Sequence, residues 1–302
     1  MVKSTGMSRN HVHLLAAMGV LLFGVAYFTP RAITPVAPAV SRFGGLLHET
    51  QSDYSHIRVR EKDGVRSLLF VDEDGTEQRQ SAVALAAPGK NQLGYTGSLF
   101  TSMLYRYPQE RVLIVGLGGG GMVRYLNAVF PAMMVEAVEI DPVVVALAAE
   151  YFGTVPGPRT RLHTRDAFAF FREETGLYDA IYMDAFLRPA PDSGLEEKTI
   201  RLKTVAFLET VRSRLVPGGV VAFNLIESRA ETADDLTAIG TVFPATALFN
   251  VPGSGNLVVI ASTEVPAPDA AELSRRAKKL DAEFAAGLSF EELAENLRPD
   301  QP

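Results

Sequence analysis

The chain has 302 residues, 47% of them hydrophobic and 21% charged, with a formal net charge of -6. That length and balance suit one large α/β domain plus a small accessory unit, and the acidic excess argues against nucleic acid as a partner. The chain has no cysteine, which excludes disulfides, thiolate metal sites and cysteine nucleophiles; its five histidines, His11, His13, His48, His56 and His163, form no close ligand pair in the folded region, so no metal is expected.

Lys3 and Arg9 precede a nearly unbroken apolar run over 14–28. At about 15 residues it is short for a spanning helix and matches a signal-peptide core. Pro30, Pro35 and Pro38 break any continuation, and the small-residue stretch Ala37-Pro38-Ala39 lies too far from the run to make a good cleavage site. An uncleaved membrane anchor is the favoured reading and a cleaved signal the alternative. Lys3 and Arg9 are nearly balanced by Arg31 and Arg42, so charge does not set the orientation.

Residues 1–45 therefore read as anchor or signal plus a Pro/Ala linker. Residues 46–90 read as a small β-hairpin domain: period-two strands over 54–60, 65–71 and 76–84, with turns at Asp63-Gly64 and Asp74-Gly75. Helical spacing of Leu99, Met103 and Leu104 predicts a helix over 95–107. Residues 91–265 then alternate. Strands are predicted at 112–115, 134–139, 160–164, 179–183 and 220–225, and helices at 120–130, 142–152, 167–174 and 205–215. This order implies a Rossmann-like α/β fold, a mostly parallel sheet with helices on both faces. Two strands at 246–251 and 257–262 flank Pro252-Gly253 and form a closing antiparallel pair. The tail, 266–302, is rich in Ala, Glu, Lys and Leu and reads as helical.

The most informative segment is Val112-Leu-Ile-Val-Gly116-Leu117-Gly118-Gly119-Gly-Gly121, followed by a strand ending in Glu139-Ile140-Asp141. Glycines allow a sharp strand-to-helix turn and close approach of a ligand to the backbone. Glu139, 23 residues after Gly116, is placed to accept from two ribose hydroxyls; the alternative is a solvated strand end. The loop alone fits NAD, FAD or an adenosyl sulfonium. Asp166-Ala167 at the end of the third strand adds an acid suited to an adenine amino group, although Asp166 also suits the N-cap of the next helix. Val216-Pro217-Gly218-Gly219 and the closing strand pair shift the balance to the sulfonium. Asp184, at the carboxyl end of the fourth strand, faces the cofactor crevice on this topology and is the expected catalytic residue.

On these motifs, from about Glu49 to Ser262, the chain resembles the polyamine aminopropyltransferases, the spermidine synthase family. Tyr54 to Val59 with Gly64 to Leu68 resembles the family's opening hairpin, and Tyr178 to Asp184 the strand carrying its catalytic aspartate. The resemblance implies a transferase of polyamine synthesis that uses decarboxylated S-adenosylmethionine, or S-adenosylmethionine itself, together with a small-molecule amine acceptor. Gly116, Leu117, Gly118, Gly119, Glu139, Ile140, Asp166 and Ala167 would hold the cofactor, and Asp184 would act on the amine. Departures from the family pattern are specific. Gly119 stands where the family usually has an aspartate, Tyr95-Thr96-Gly97 where it has Tyr-x-Glu, and Leu187 where it has a second aspartate. The nearer likeness is to the divergent, often membrane-linked branch with Gly-Leu-Gly-Gly-Gly and Asp-Ala-Phe motifs. Residues 187–203 read as a lid in which Asp192, Glu196 or Glu197 would replace the missing amine anchor, a solvated charged loop being the favoured alternative for each; Tyr95 either lines the pocket or packs within its helix, and Gln78 or Gln80 would approach the cofactor. Methyl transfer and a non-catalytic binding role are the competing expectations. Family members often dimerise, so a homodimer is allowed, with no interface legible here. Because the donor is made in the cytoplasm, a cytoplasm-facing domain on a membrane anchor is expected over an exported one.

Overall fold

The computed structural model describes residues 41–87, 94–185, 204–263, 267–284 and 287–298. The apolar run at 14–28 and the predicted lid, with Leu187 and Asp192, lie outside them. Among the described residues no helix is long and apolar enough to cross a membrane.

Two sheets organise the chain. The first has four antiparallel strands in sequence order: β1 (Gly45–Gln51), β2 (His56–Lys62), β3 (Val65–Val71) and β4 (Glu77–Ala84). Strand β1 lies at the start of the expected β domain but ahead of the first expected strand at 54–60; its GLLHETQ run has no clean alternation, and its exposed Leu46 and Leu47 sit beside a register shift. The predicted helix over 95–107 divides into α1 (Gly94–Leu99) and α2 (Ser102–Tyr105).

The second sheet holds β5 (Arg111–Val115), β6 (Met134–Glu139), β7 (Thr160–Thr164), β8 (Tyr178–Met183), β9 (Leu215–Ile226), β10 (Ala245–Asn250) and β11 (Asn256–Ser262), in the order β10-β11-β9-β8-β5-β6-β7. The five strands from β5 to β9 run parallel, and β11 and β10 close the sheet antiparallel. Val216 to Gly219, expected as a turn before the fifth strand, lie within β9, where the pairing with β8 shifts register. The helices between strands are α3 (Gly121–Val129), α4 (Pro142–Phe152), α5 (Ala167–Glu173), α6 (Val205–Arg212) and α7 (Thr232–Val242). Helix α7 was not legible because its only buried residues are Thr232, Ile239 and Val242. The tail forms α8 (Ala270–Glu283) and α9 (Phe290–Glu295).

Helices cover both faces of the seven-stranded sheet, which is why inner strands such as β5 and β11 are nearly continuous apolar runs. Val112 and Ile114 of β5 enter one core with Tyr182, Val220 and Leu273, while Leu113 and Val115 enter the other with Phe170, Ile181 and Phe207. The small sheet docks on α4, burying Ile57, Val59 and Leu68 against Val144, Leu147 and Phe152. Asp141 caps α4, accepting from Val143 N at 2.8 Å, and Pro142 begins the helix with its φ already set.

Beneath the sheet, three buried polar groups close a triangle. Ser102 Oγ donates to Tyr182 Oη at 3.0 Å, Tyr182 Oη donates to Gln109 Oε1 at 2.7 Å, and Gln109 Nε2 returns to Ser102 Oγ at 3.2 Å. Removing the phenol oxygen by Tyr182→Phe leaves two buried partners short of a hydrogen bond. The expected loss is about 1–3 kcal/mol, read as a lowered urea midpoint with unchanged slope.

Candidate active site

β5 lies at the point where the chain winds outward in both directions, with β6 on one side and β8 on the other. A crevice opens beyond the carboxyl ends of strands at such a point. Here it encloses about 1170 Å³, part of it open to solvent. The glycine loop, the ends of β6, β7 and β8, and residues of the small sheet all line it.

The loop takes its shape from positive φ angles at Gly116, Gly118 and Gly120. At Gly116 a Cβ would stand 2.6 Å from the carbonyl oxygen of Asp184, so the tips of β5 and β8 meet only because that atom is missing. Glu139, at the end of β6, is not a solvated strand end. Its Oε2 accepts from Leu117 N at 2.9 Å and its Oε1 from Asp141 N at 3.1 Å. Burial raises its pKa above the ordinary value of 4.5; backbone N–H groups oppose the rise and the nearby Asp141 charge adds to it. Asp166 takes the capping role with Oδ1, accepting from Ala169 N at 2.9 Å, and it also lines the cleft. Asp184 lines the cleft beside Gly116, its N–H donating to Val115 O at 2.9 Å.

Of the expected site residues, Gly116, Leu117, Gly118, Glu139, Ile140, Asp166, Ala167, Asp184 and Tyr95 share this one cleft. Gly119 departs from expectation. It does not line the cleft, and a Cβ there would stand 2.8 Å from the ring of the fully buried Phe152. Gln80 lines the cleft and Gln78 does not. Tyr95 donates from its hydroxyl to Gln80 O at 3.1 Å; burial, and then the Asp184 charge, raise the pKa of that phenol.

Sequence reasoning missed the contribution of the β1–β2 turn. Ser52 Oγ donates to Asp141 Oδ2 at 2.6 Å, which holds the turn against the end of β6. Tyr54 and Ser55 thereby enter the cleft wall. Burial raises the Tyr54 phenol pKa, and the charges of Asp141, Asp53, Asp166 and Glu139 raise it further. The cleft is thus strongly acidic, with Glu139, Asp141, Asp166 and Asp184 in its lining. Arg165 is the one cation among the described lining residues, and it is paired with Glu173 at 2.6 Å. Among the described residues no group of His, Asp and Glu is arranged to hold a metal.

Strand order and cleft together define a Rossmann-like α/β protein whose cleft opens at the switch point of its sheet. The chain belongs to the spermine/spermidine synthase domain family, whose model matches residues 93–251. It is 29% identical over 239 residues to a polyamine aminopropyltransferase of Vibrio vulnificus, covering 78% of this chain and 77% of that one. It is 28% identical over 174 residues to an eEF1A lysine and N-terminal methyltransferase of Bos taurus, covering 54% of this chain and 25% of that one. A spermidine synthase solved in complex with the transition state analogue AdoDATO shares the fold, with a TM-score of 0.60 and 18% identity over 84% of this chain and 85% of that one.

The raised pKa of Glu139 has a measurable consequence. The folded chain holds this proton more tightly than the unfolded chain. As pH rises from about 4.5 through the raised value, the unfolded state releases its proton first and stability is lost. Glu139→Gln removes this contribution. The unfolding free energy of the wild type, less that of the variant, is expected to fall across that window and to level off above it, as read by urea unfolding at a series of pH values.

Proposed function

We propose that this chain transfers an aminopropyl group from decarboxylated S-adenosylmethionine to a small-molecule amine. The observation that carries the reading is the charge of the cleft. Four carboxylates line it, and the only cation among its described residues is already engaged by Glu173. The α-carboxylate of S-adenosylmethionine would be repelled by such a lining. The decarboxylated donor lacks that group and presents a sulfonium and an ammonium, both favoured there. The family and the aminopropyltransferase relative support the same choice.

In this reading Glu139 receives the ribose hydroxyls, since the N–H groups of Leu117 and Asp141 already fix its carboxylate. Asp166 offers the adenine amino group the acceptor capacity its cap leaves over. Gly116 and Gly118 let the donor lie against the backbone. Asp184 holds the acceptor amine, helps remove its proton and stabilises the charge that develops on nitrogen. The amine nitrogen bonds to the carbon next to sulfur, the carbon–sulfur bond breaks with its electron pair going to sulfur, and methylthioadenosine leaves. Much of the acceleration comes from holding the two reactants at attack distance. Methyl transfer is the second reading. It draws on the Bos taurus relative and on Gly119, which offers no carboxylate to the donor's amino end.

Calorimetric titration of both donors tests the choice. The decarboxylated form is expected to bind at least about tenfold more tightly; tighter binding of the intact form would favour methyl transfer. With a panel of primary diamines, the expected product is methylthioadenosine and not S-adenosylhomocysteine. Asp184→Asn should lower kcat by about 10²–10⁴-fold with little change in donor affinity.

We also propose that residues 14–28 anchor the chain in a membrane with the cleft on the cytoplasmic side, where the donor is made. In spheroplasts the domain should resist protease added from outside; its cleavage there would place it on the other side.

A further inference from the structure

Two asparagines that no motif includes stand behind Asp184. Asn224, on β9, is 1% exposed, and its Nδ2 donates to Asp184 Oδ1 at 2.8 Å. Asn256, the first residue of β11, donates from Nδ2 to Asn224 Oδ1 at 2.8 Å. The hydroxyl of Ser254 donates in turn to Asn256 Oδ1. β9 and β11 are antiparallel neighbours, with Asn224 opposite Val258 and Asn256 opposite Ile226, so the two amides form a diagonal cross-strand pair. Every amide in this row donates toward the cleft. Neither asparagine lines it.

A primary amide has nearly the same shape when turned over, so its partners decide which end faces which neighbour. The Asn256 N–H pins the oxygen of Asn224 and thereby aims the Asn224 N–H at Asp184. A hydrogen bond donated to a carboxylate favours its ionised form. We propose that Asn224 and Asn256 form a polarised relay that holds Asp184 ionised and in one orientation, which makes Asn256 a positioning residue for the transfer reaction although it does not reach the cleft. The functional half of this proposal rests on the role given to Asp184 above.

Asn256→Asp reverses the relay, because the new carboxylate accepts where the amide donated. Asn224 then turns its N–H groups toward that carboxylate and offers its oxygen to Asp184, which must take up a proton to keep the contact. Asn256→Leu removes the donor without adding charge. The full chain, labelled with ¹³Cγ-aspartate, is titrated by NMR, with the Asp184 signal assigned as the one lost in Asp184→Asn. The expected result is a rise in the Asp184 midpoint of about one pH unit or more in Asn256→Asp and a smaller rise in Asn256→Leu. The acidic limb of the kcat/KM profile, measured with decarboxylated S-adenosylmethionine and a diamine, should move by the same amounts. Unchanged midpoints in both variants overturn the relay, whatever the chain's activity. Shifted midpoints with full turnover in Asp184→Asn leave the relay standing and overturn the catalytic role of Asp184 instead.

Discussion

The site depends on the close approach of two strand ends. Asp184 N donates to Val115 O at 2.9 Å and Gly116 N to Val138 O at 2.9 Å, so the ladders of β8, β5 and β6 continue one residue beyond their last paired positions. A side chain at Gly116 would collide with the backbone of Asp184. With only hydrogen there, the three strands end at one level and Glu139 and Asp184 come to face a common space. The glycine loop, the carboxylate at its foot and the carboxylate beside it are consequences of one backbone contact.

The second determinant is the seating of the small sheet on α4. Phe152, Leu147 and Val144 form the base on which Ile57, Val59 and Leu68 rest. That seat brings Tyr54, Ser55, Gln80 and Ser81 over the crevice, and the Ser52–Asp141 hydrogen bond fixes the near end. Asp141 therefore has three tasks: it caps α4, anchors the turn and adds charge to the cleft. Glu139 pays for its burial at the foot of this wall, and the nearby Asp141 charge adds to that cost.

Much of the arrangement was legible in the sequence because it is local. A strand, glycines, a helix and an acid at fixed spacing identify β5, α3 and β6, and four sequence-predicted elements, β6, β7, α4 and the start of α5, fall at the expected residues. The Asp166 cap was legible because it follows from the helix start, which also sets Asp166 in the cleft wall. Contacts between distant segments were less legible. Ser52 acts on Asp141 across a separation of 89 residues, and brings Tyr54 with it. Asn224 and Asn256 meet only because β11 returns antiparallel beside β9. β1 and α7 were hidden for a different reason: too few of their side chains are buried to leave a periodic trace.

Gly119 bears on the packing of the chain as well as its chemistry. The space a side chain would need is filled by the ring of Phe152, which also supports the small sheet. Placing an aspartate at this position requires Phe152 to move, and moving Phe152 disturbs the seat of the neighbouring sheet. The glycine loop and the small sheet are therefore mechanically coupled through one ring, and bulk added at position 119 is transmitted to the strands seated on Phe152.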